Sequence, residues 1–373
     1  MKIVCISASQ VPSDSANSIQ VMKVCQALAQ LGHEILLIIP AGSALAFDDR
    51  QLLDHYGLNT AFPVEHLPAR SRRTFPRTAV KRANDLGVNL VYAWPVQAAV
   101  LGLLSGFPVL LEMHDVPSGF FGPLWYRLFL GLPGKKRLLP ITAALQRALK
   151  SRYGPPRRGD TLIAPDGVDL ERYADLPEAE AARLQLGLNP GQTVGCTGHL
   201  YPGRGADLFL ALAAALPQVN FVWVGGRPAD AEAWQARAQD AALHNVTFTG
   251  FVPNRRLPLY QAAADILLMP YGRSITTSSG GNTAEICSPM KMFEYMAASR
   301  PILASDLPVF REVLDESCAV LCPPDDPQAW KSALVKLLEE PELRQQLAQA
   351  ARTRVTRFTW TERARRCLNG FEA

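Results

Sequence analysis

The sequence predicts an α/β protein of two doubly wound parallel-sheet domains, one in each half of the chain. Three observations carry this. Runs of Val, Ile and Leu alternate with amphipathic stretches from end to end. Most of the runs are apolar throughout, not only at every second residue, as in strands covered on both faces. The length, 373 residues, exceeds one average domain and suits two. A hydrophobic share of 48% with 19% charged residues fits a chain with two cores and excludes a disordered one.

In the first half the predicted strands are 2–8, 34–39, 89–92, 108–113 and 161–164. The opening Met1-Lys2-Ile3-Val4-Cys5-Ile6-Ser7-Ala8 has one positive charge and a short apolar run, so it reads as a strand and not a signal peptide. Ile19–Leu31 has helical spacing, and Gly32 is a good helix stop. The longest apolar stretch, 96–113, is broken by Gly106 and Pro108 and carries Glu112. It therefore reads as helix, turn and strand in place of a membrane span. In the second half the strands are 193–197, 219–224, 246–249, 266–269, 301–304 and 318–321, with a helix over 205–216. Turn residues Pro165-Asp166-Gly167-Val168-Asp169 and the polar stretch 176–192 mark a boundary. The expected domains are 1–170, 171–353 and a tail, 354–373, whose last helix Thr359 can cap and which packs back towards the first domain.

Charge is uneven. Residues 1–165 hold 18 Lys and Arg against 10 Asp and Glu, and the remainder holds 20 against 24. The basic residues cluster at Arg70, Arg72, Arg73, Arg77, Lys81 and Arg82, and again at Lys135, Lys136 and Arg137, just after the apolar run Leu124–Leu130. The preferred reading is a solvated rim beside a buried helix. The alternative is peripheral contact with an anionic membrane. Seven scattered cysteines, with no second close pair beside Cys318 and Cys322, give no zinc pattern and fit a reducing cytoplasm. No nucleic-acid partner is expected.

Open α/β sheets bind ligands at the carboxyl ends of their strands. After the first strand of the second half comes Thr197-Gly198-His199-Leu200-Tyr201-Pro202-Gly203-Arg204-Gly205. Peptide N–H groups of such a loop can face an anion, and Arg204 can add donors to a diphosphate. The alternative is an ordinary turn with a surface arginine. A second loop, 272–287, carries Ser274, Thr276, Thr277, Ser278, Ser279, Gly280 and Gly281, and leads into Ser288-Pro289-Met290-Lys291-Met292-Phe293-Glu294. Ser288 is expected as N-cap and Pro289 at the first helical position. Lys291 and Glu294 share a face. The lysine suits phosphate, and the acid, expected to be at least half buried, suits a ribose diol. The alternative is a surface pair that favours the helix dipole.

The first half has no G-x-G-x-x-G after its first strand, which argues against a dinucleotide dehydrogenase. Polar side chains gather instead between Ser9 and Ser18, among them Ser15, Asn17 and Ser18, expected on the acceptor side. His114 follows a buried strand at the expected cleft rim, with a histidine bonded within its own loop as the alternative. No Asp-x-Asp triplet or paired His/carboxylate spacing appears, so a metal-clamped diphosphate is not indicated.

These residues resemble family 4 retaining glycosyltransferases of the GT-B fold, two Rossmann-like doubly wound parallel-sheet domains facing a central cleft. The resemblance rests on Ser288–Ala298, Arg300–Pro308 and Arg311-Glu312-Val313, with Pro165–Asp169, Gly198–Gly205, and Gly250-Phe251-Val252-Pro253 followed by Ala263-Ala264-Asp265. Leu31-Gly32-His33-Glu34, Glu112-Met113-His114-Asp115 and Phe358-Thr359-Trp360 extend it over the whole chain. It implies that Glu294 binds the nucleotide ribose, that Arg204 meets the diphosphate, and that His114 lies near the transferred sugar. With Lys291 these form the expected catalytic and donor-binding set, joined by Gly198, His199, Gly203, Gly205, Ser288, Pro289 and Met290. Two positions depart from the family. Ile286 stands where a second acid is common, with Glu285 beside it, and His199 stands where arginine is frequent.

The implied activity is transfer of a sugar from a nucleoside diphosphate sugar, the co-substrate, to a carbohydrate or lipid-linked acceptor hydroxyl in polysaccharide or glycoconjugate synthesis. Retention, no cofactor, no metal and a cytoplasmic location are expected with it. A sugar-nucleotide epimerase of the same fold and a non-catalytic nucleotide-sugar-binding relative are the alternatives.

Overall fold

The computed structural model describes residues 1–42, 47–68, 74–275 and 284–371. The chain folds as two compact units, Met1–Asp166 with Trp360–Ala373, and Gly167–Thr359. The sequence expectation placed these divisions at 170/171 and 353/354.

The first unit contains β1 (Lys2–Ile6), β2 (Glu34–Pro40), β3 (Val64–Leu67), β4 (Leu90–Ala93), β5 (Val109–Met113), β6 (Lys136–Pro140) and β7 (Asp160–Thr161). They form one parallel sheet in the order β3-β2-β1-β4-β5-β6-β7. The strand order reverses between β1 and β4, where open sheets leave a crevice at the strand ends. β1, β4 and β5 are buried along nearly their whole length, which is why they are continuous apolar runs.

Two strands were not expected. β3, Val-Glu-His-Leu, is a half-exposed edge with no apolar run. β6 begins inside the second basic cluster, and its Lys136 is only 2% exposed. The Lys136 ammonium donates to the carbonyls of Phe129 (2.5 Å), Leu130 (3.1 Å) and Leu132 (2.5 Å), the C-terminal end of the helix Gly122–Gly131. It satisfies carbonyls that the helix itself cannot. Arg137 does the same for the last helix, donating to Arg366, Cys367 and Asn369 carbonyls while pairing with Asp160. The solvated-rim reading of this cluster is therefore corrected: two of its three members close helix ends. The "buried helix" beside it is also corrected, because Leu124 and Leu128 are 52% and 44% exposed. Arg70, Arg72 and Arg73 lie outside the described residues.

The last helix, Trp360–Leu368, buries Trp360, Arg363, Ala364, Cys367 and Leu368, a stripe at helical spacing. It packs on the helix Ala16–Gln30 within the first unit. Thr359 stands extended just before it and bridges to Val168.

The second unit contains β8 (Thr193–Thr197), β9 (Asn220–Val224), β10 (Val246–Phe248), β11 (Ile266–Met269), β12 (Ile302–Ser305) and β13 (Val320–Cys322). They form a second parallel sheet, β10-β9-β8-β11-β12-β13, which reverses between β8 and β11. Phe209, Trp223 and Trp330 anchor the core on one of its faces. Among the described residues no helix is long and apolar enough to cross a membrane.

Candidate active site

In the second unit the site grows out of the switch point. Beyond β8 the backbone turns at Gly198, at φ +123°. Its carbonyl accepts from the Trp223 indole (2.9 Å). A Cβ at Gly198 would stand 3.0 Å from the Lys291 ammonium, so the missing side chain is the space the lysine occupies. Gly203 and Gly205 have φ of +82° and +87°, and added Cβ atoms would lie 1.9 Å from the Ser274 carbonyl oxygen and 2.0 Å from that of Pro270. The loop after β8 thus lies directly against the backbone of the loop after β11, a closeness only glycine allows.

That second loop presents Tyr271, buried and held by its own carbonyl, which accepts from Ser305 (2.6 Å), and by its ring against Phe310. The Arg204 guanidinium lies 4.7 Å from the Tyr271 ring centre and donates to its hydroxyl. The Lys291 ammonium lies 5.1 Å from the same ring and 5.9 Å from that of Trp223. Two cations therefore flank one aromatic ring, within the range of cation–π attraction. Lys291 is 8% exposed, and neither its ammonium nor Arg204 Nε has a hydrogen-bond partner among the described residues. Buried cationic donors without partners are costly unless an anion completes them.

Lys291 sits in the first turn of the helix Met290–Ala297. Tyr295, one turn on, accepts from the Thr197 N–H (2.7 Å) and pins this helix to the end of β8. The N-cap expectation is corrected. Pro289 itself occupies the cap, with ψ 123° and no side-chain cap bond, and Met290 is the first helical residue. Ser288, buried one residue earlier, precedes a proline and so lies outside the helical region. Glu294 is half-buried. Its Oε2 accepts from Gln261 (3.1 Å), and Gln261 in turn accepts from Tyr173 (2.9 Å). Oε1 has no hydrogen-bond partner among the described residues. His199 stacks on Tyr201 at 5.0 Å. Glu285 is exposed. The 276–281 segment of the polar loop lies outside the described residues.

In the first unit, Glu112 at the end of β5 has no exposed surface. One oxygen meets His114 Nε2 (2.8 Å) and accepts from Gln20; the other meets Arg363 (2.8 Å) and accepts from Tyr92. Burial alone would raise the Glu112 pKa; the Arg363 charge and the bonds from His114 and Tyr92 outweigh it and bring it to about 2. His114, with a side chain 30% exposed, has its pKa raised. Burial works against this, and the bond and charge of Glu112 overcome it.

The other first-unit candidates divide. Ser15 caps the helix Ala16–Gln30 through the Ser18 N–H. Asn17 is exposed and donates to Ser9 (2.7 Å). Ser18 is fully buried, with its hydroxyl 2.5 Å from that of Tyr56, which gives it a packing partner in place of a ligand-facing position.

Glu112, Arg363, Tyr92, Tyr271 and Gln261 were not singled out from sequence. Only Glu112 left a signal there: a lone acid in an apolar run buried on both faces must have partners. Among the described residues no group of three or more His, Cys, Asp or Glu side chains is placed to hold a metal ion.

Residues 191–340, which hold both cations, match the family model described as glycosyl transferases group 1. The chain is 30% identical over 358 residues to phosphatidyl-myo-inositol mannosyltransferase of Mycolicibacterium smegmatis, covering 91% of this chain and 86% of that one. It is 30% identical over 303 residues to D-inositol 3-phosphate glycosyltransferase of Segniliparus rotundus, covering 77% of this chain and 62% of that one. Among solved structures, Anabaena HepE in complex with UDP-glucose superposes with a TM-score of 0.75 at 20% identity, over 99% of both chains.

Proposed function

This chain belongs to the glycosyl transferases group 1 family, and from that premise we propose that it moves a hexosyl group from a nucleoside diphosphate sugar to an acceptor hydroxyl, with retention at the anomeric carbon. The observation that carries this reading is the pair of cations at Tyr271, above all the buried Lys291 ammonium without a partner among the described residues. As the glycosidic bond to the diphosphate breaks, negative charge grows on the leaving oxygens, and Lys291 and Arg204 stand ready to stabilise it. The start of the helix Met290–Ala297 adds its dipole. Glu294 Oε1 takes the ribose diol, and no metal is assigned a part. The second unit is thereby the donor domain and the first, with Asn17 and His114, the acceptor side.

The acceptor class we favour is lipid-linked or carbohydrate. Two relatives are named for action on a phosphatidylinositol and on inositol 3-phosphate. A second support is the edge of the helix Gly122–Gly131. Phe120 (89% exposed), Phe121 (54%), Leu124 (52%) and Leu128 (44%) stand out there with exposed Arg127. Such an aromatic and basic edge suits peripheral contact with an anionic leaflet, and flotation with vesicles tests it.

Incubation with nucleotide sugars and candidate acceptors, read by NMR of the anomeric proton, tests the activity. A glycoside with the donor's anomeric configuration is expected. An inverted product overturns retention, an altered donor sugar formed without acceptor turns the reading to an epimerase, and tight donor binding with no product turns it to a non-catalytic relative.

A further inference from the structure

The polar cluster beneath His114 is more elaborate than a loop histidine requires. Glu112 is a fully buried carboxylate whose two oxygens are each approached from two sides. Tyr92 comes from β4, Gln20 from the helix Ala16–Gln30, and Arg363 from the last helix. Gln20 is itself held by the Trp94 indole (3.1 Å). Arg363 is 4% exposed; beyond Glu112 it donates to the carbonyls of Pro165 (2.9 Å) and Ala164 (3.2 Å) and to the Tyr92 hydroxyl (3.2 Å). Well-packed apolar residues often stabilise a fold as well as a buried ion pair does. A pair this fully bonded therefore points to something it orients, and the one partner of Glu112 with an exposed edge is His114.

We propose that Glu112 and Arg363 are positioning residues for His114: the carboxylate holds the imidazole by Nε2, and the guanidinium from the last helix holds the carboxylate. The inference rests on the glycosyltransferase reading, in which His114 meets a sugar hydroxyl. With Nε2–H donated to Glu112, the neutral ring has one tautomer, and Nδ1 is its acceptor for that hydroxyl proton. Nδ1 has no hydrogen-bond partner among the described residues. The last helix, distant in sequence from β5, thus completes the acceptor-side site. The charged and titratable groups facing the cluster are Asp166, which favours the protonated ring, Arg363, which opposes it, and Tyr92, Cys25 and Cys367, which interact electrostatically with Glu112 or Arg363.

The test uses the full chain labelled with 15N-histidine, without substrate, and follows the His114 ring nitrogens against pH. In the wild type Nε2 is expected to carry the proton at neutral pH. Glu112→Gln keeps the shape and removes the charge, so the His114 midpoint should fall by about one pH unit. Arg363→Met removes the opposing cation, so the midpoint should rise. In the transfer assay Glu112→Gln should lower kcat about tenfold or more, by analogy with the scale of losses when groups that orient metal-binding histidines are removed, with the donor KM little changed. An unmoved midpoint in Glu112→Gln overturns the proposal, as does an unchanged kcat. If Glu112→Gln fails to fold, Arg363→Met decides alone, a fixed or falling midpoint overturning the proposal. A wild type that transfers no sugar would sink the functional reading, while the nitrogen shifts would still decide whether Glu112 fixes the ring.

Discussion

Single residues carry the proposed chemistry, and they were legible in proportion to how local their signals are. Lys291 and Glu294 stood out because a cation and an acid three apart in an apolar helix start need partners, and the structure gives the acid a buried amide while the lysine has no hydrogen-bond partner among the described residues. Tyr271, which gathers both cations, sits in a loop whose sequence says nothing of what it faces. The glycines read as part of a loop whose peptide N–H groups can face an anion; the structure gives them a sharper reason. Gly203 has φ +82° and a neighbouring carbonyl where a Cβ would be. Gly203→Ala should therefore cost at least about 1 kcal/mol in urea unfolding and weaken donor binding, because the loops after β8 and β11 must part to admit the methyl group. Unchanged stability would show that the loops have slack.

At the scale of elements, strands buried on both faces announced themselves and edges did not. β1, β5 and β11 are mostly Val, Ile, Leu and their like, whereas β3 has a Glu and a His facing partly outwards. β6 was hidden because a lysine and an arginine open it. Their charges read as surface, yet they extend to helix ends, which a sequence pattern does not reveal. The same region shows the opposite error, since the helix Gly122–Gly131 exposes leucines that composition had buried. If that edge touches a membrane, the double change Phe120→Ser and Leu124→Ser should abolish flotation with phosphatidylglycerol vesicles, and the wild type should bind neutral vesicles far more weakly. Equal flotation of variant and wild type would remove the helix from that role.

The whole molecule is two doubly wound sheets whose switch points each collect polar groups, a cation pair in one and a buried carboxylate with its histidine in the other. That plan follows from the alternation of apolar strands and amphipathic helices, so it was readable at the outset; the divisions of the chain were readable only to within a few residues, because turn residues mark a boundary less sharply than strands mark a sheet. What assigns the family is likeness over most of the chain, and what supports the proposed chemistry is the Lys291 ammonium beside Tyr271, which has no hydrogen-bond partner among the described residues. Isothermal titration of UDP and GDP, each beside its monophosphate, into the wild type and Lys291→Met tests that chemistry most directly. A charge-assisted hydrogen bond is worth about 1.5–3 kcal/mol, so one of the two diphosphates should bind the wild type and lose about tenfold or more in Kd in the variant, while its monophosphate loses less. Equal diphosphate affinity in the two proteins would contradict the account.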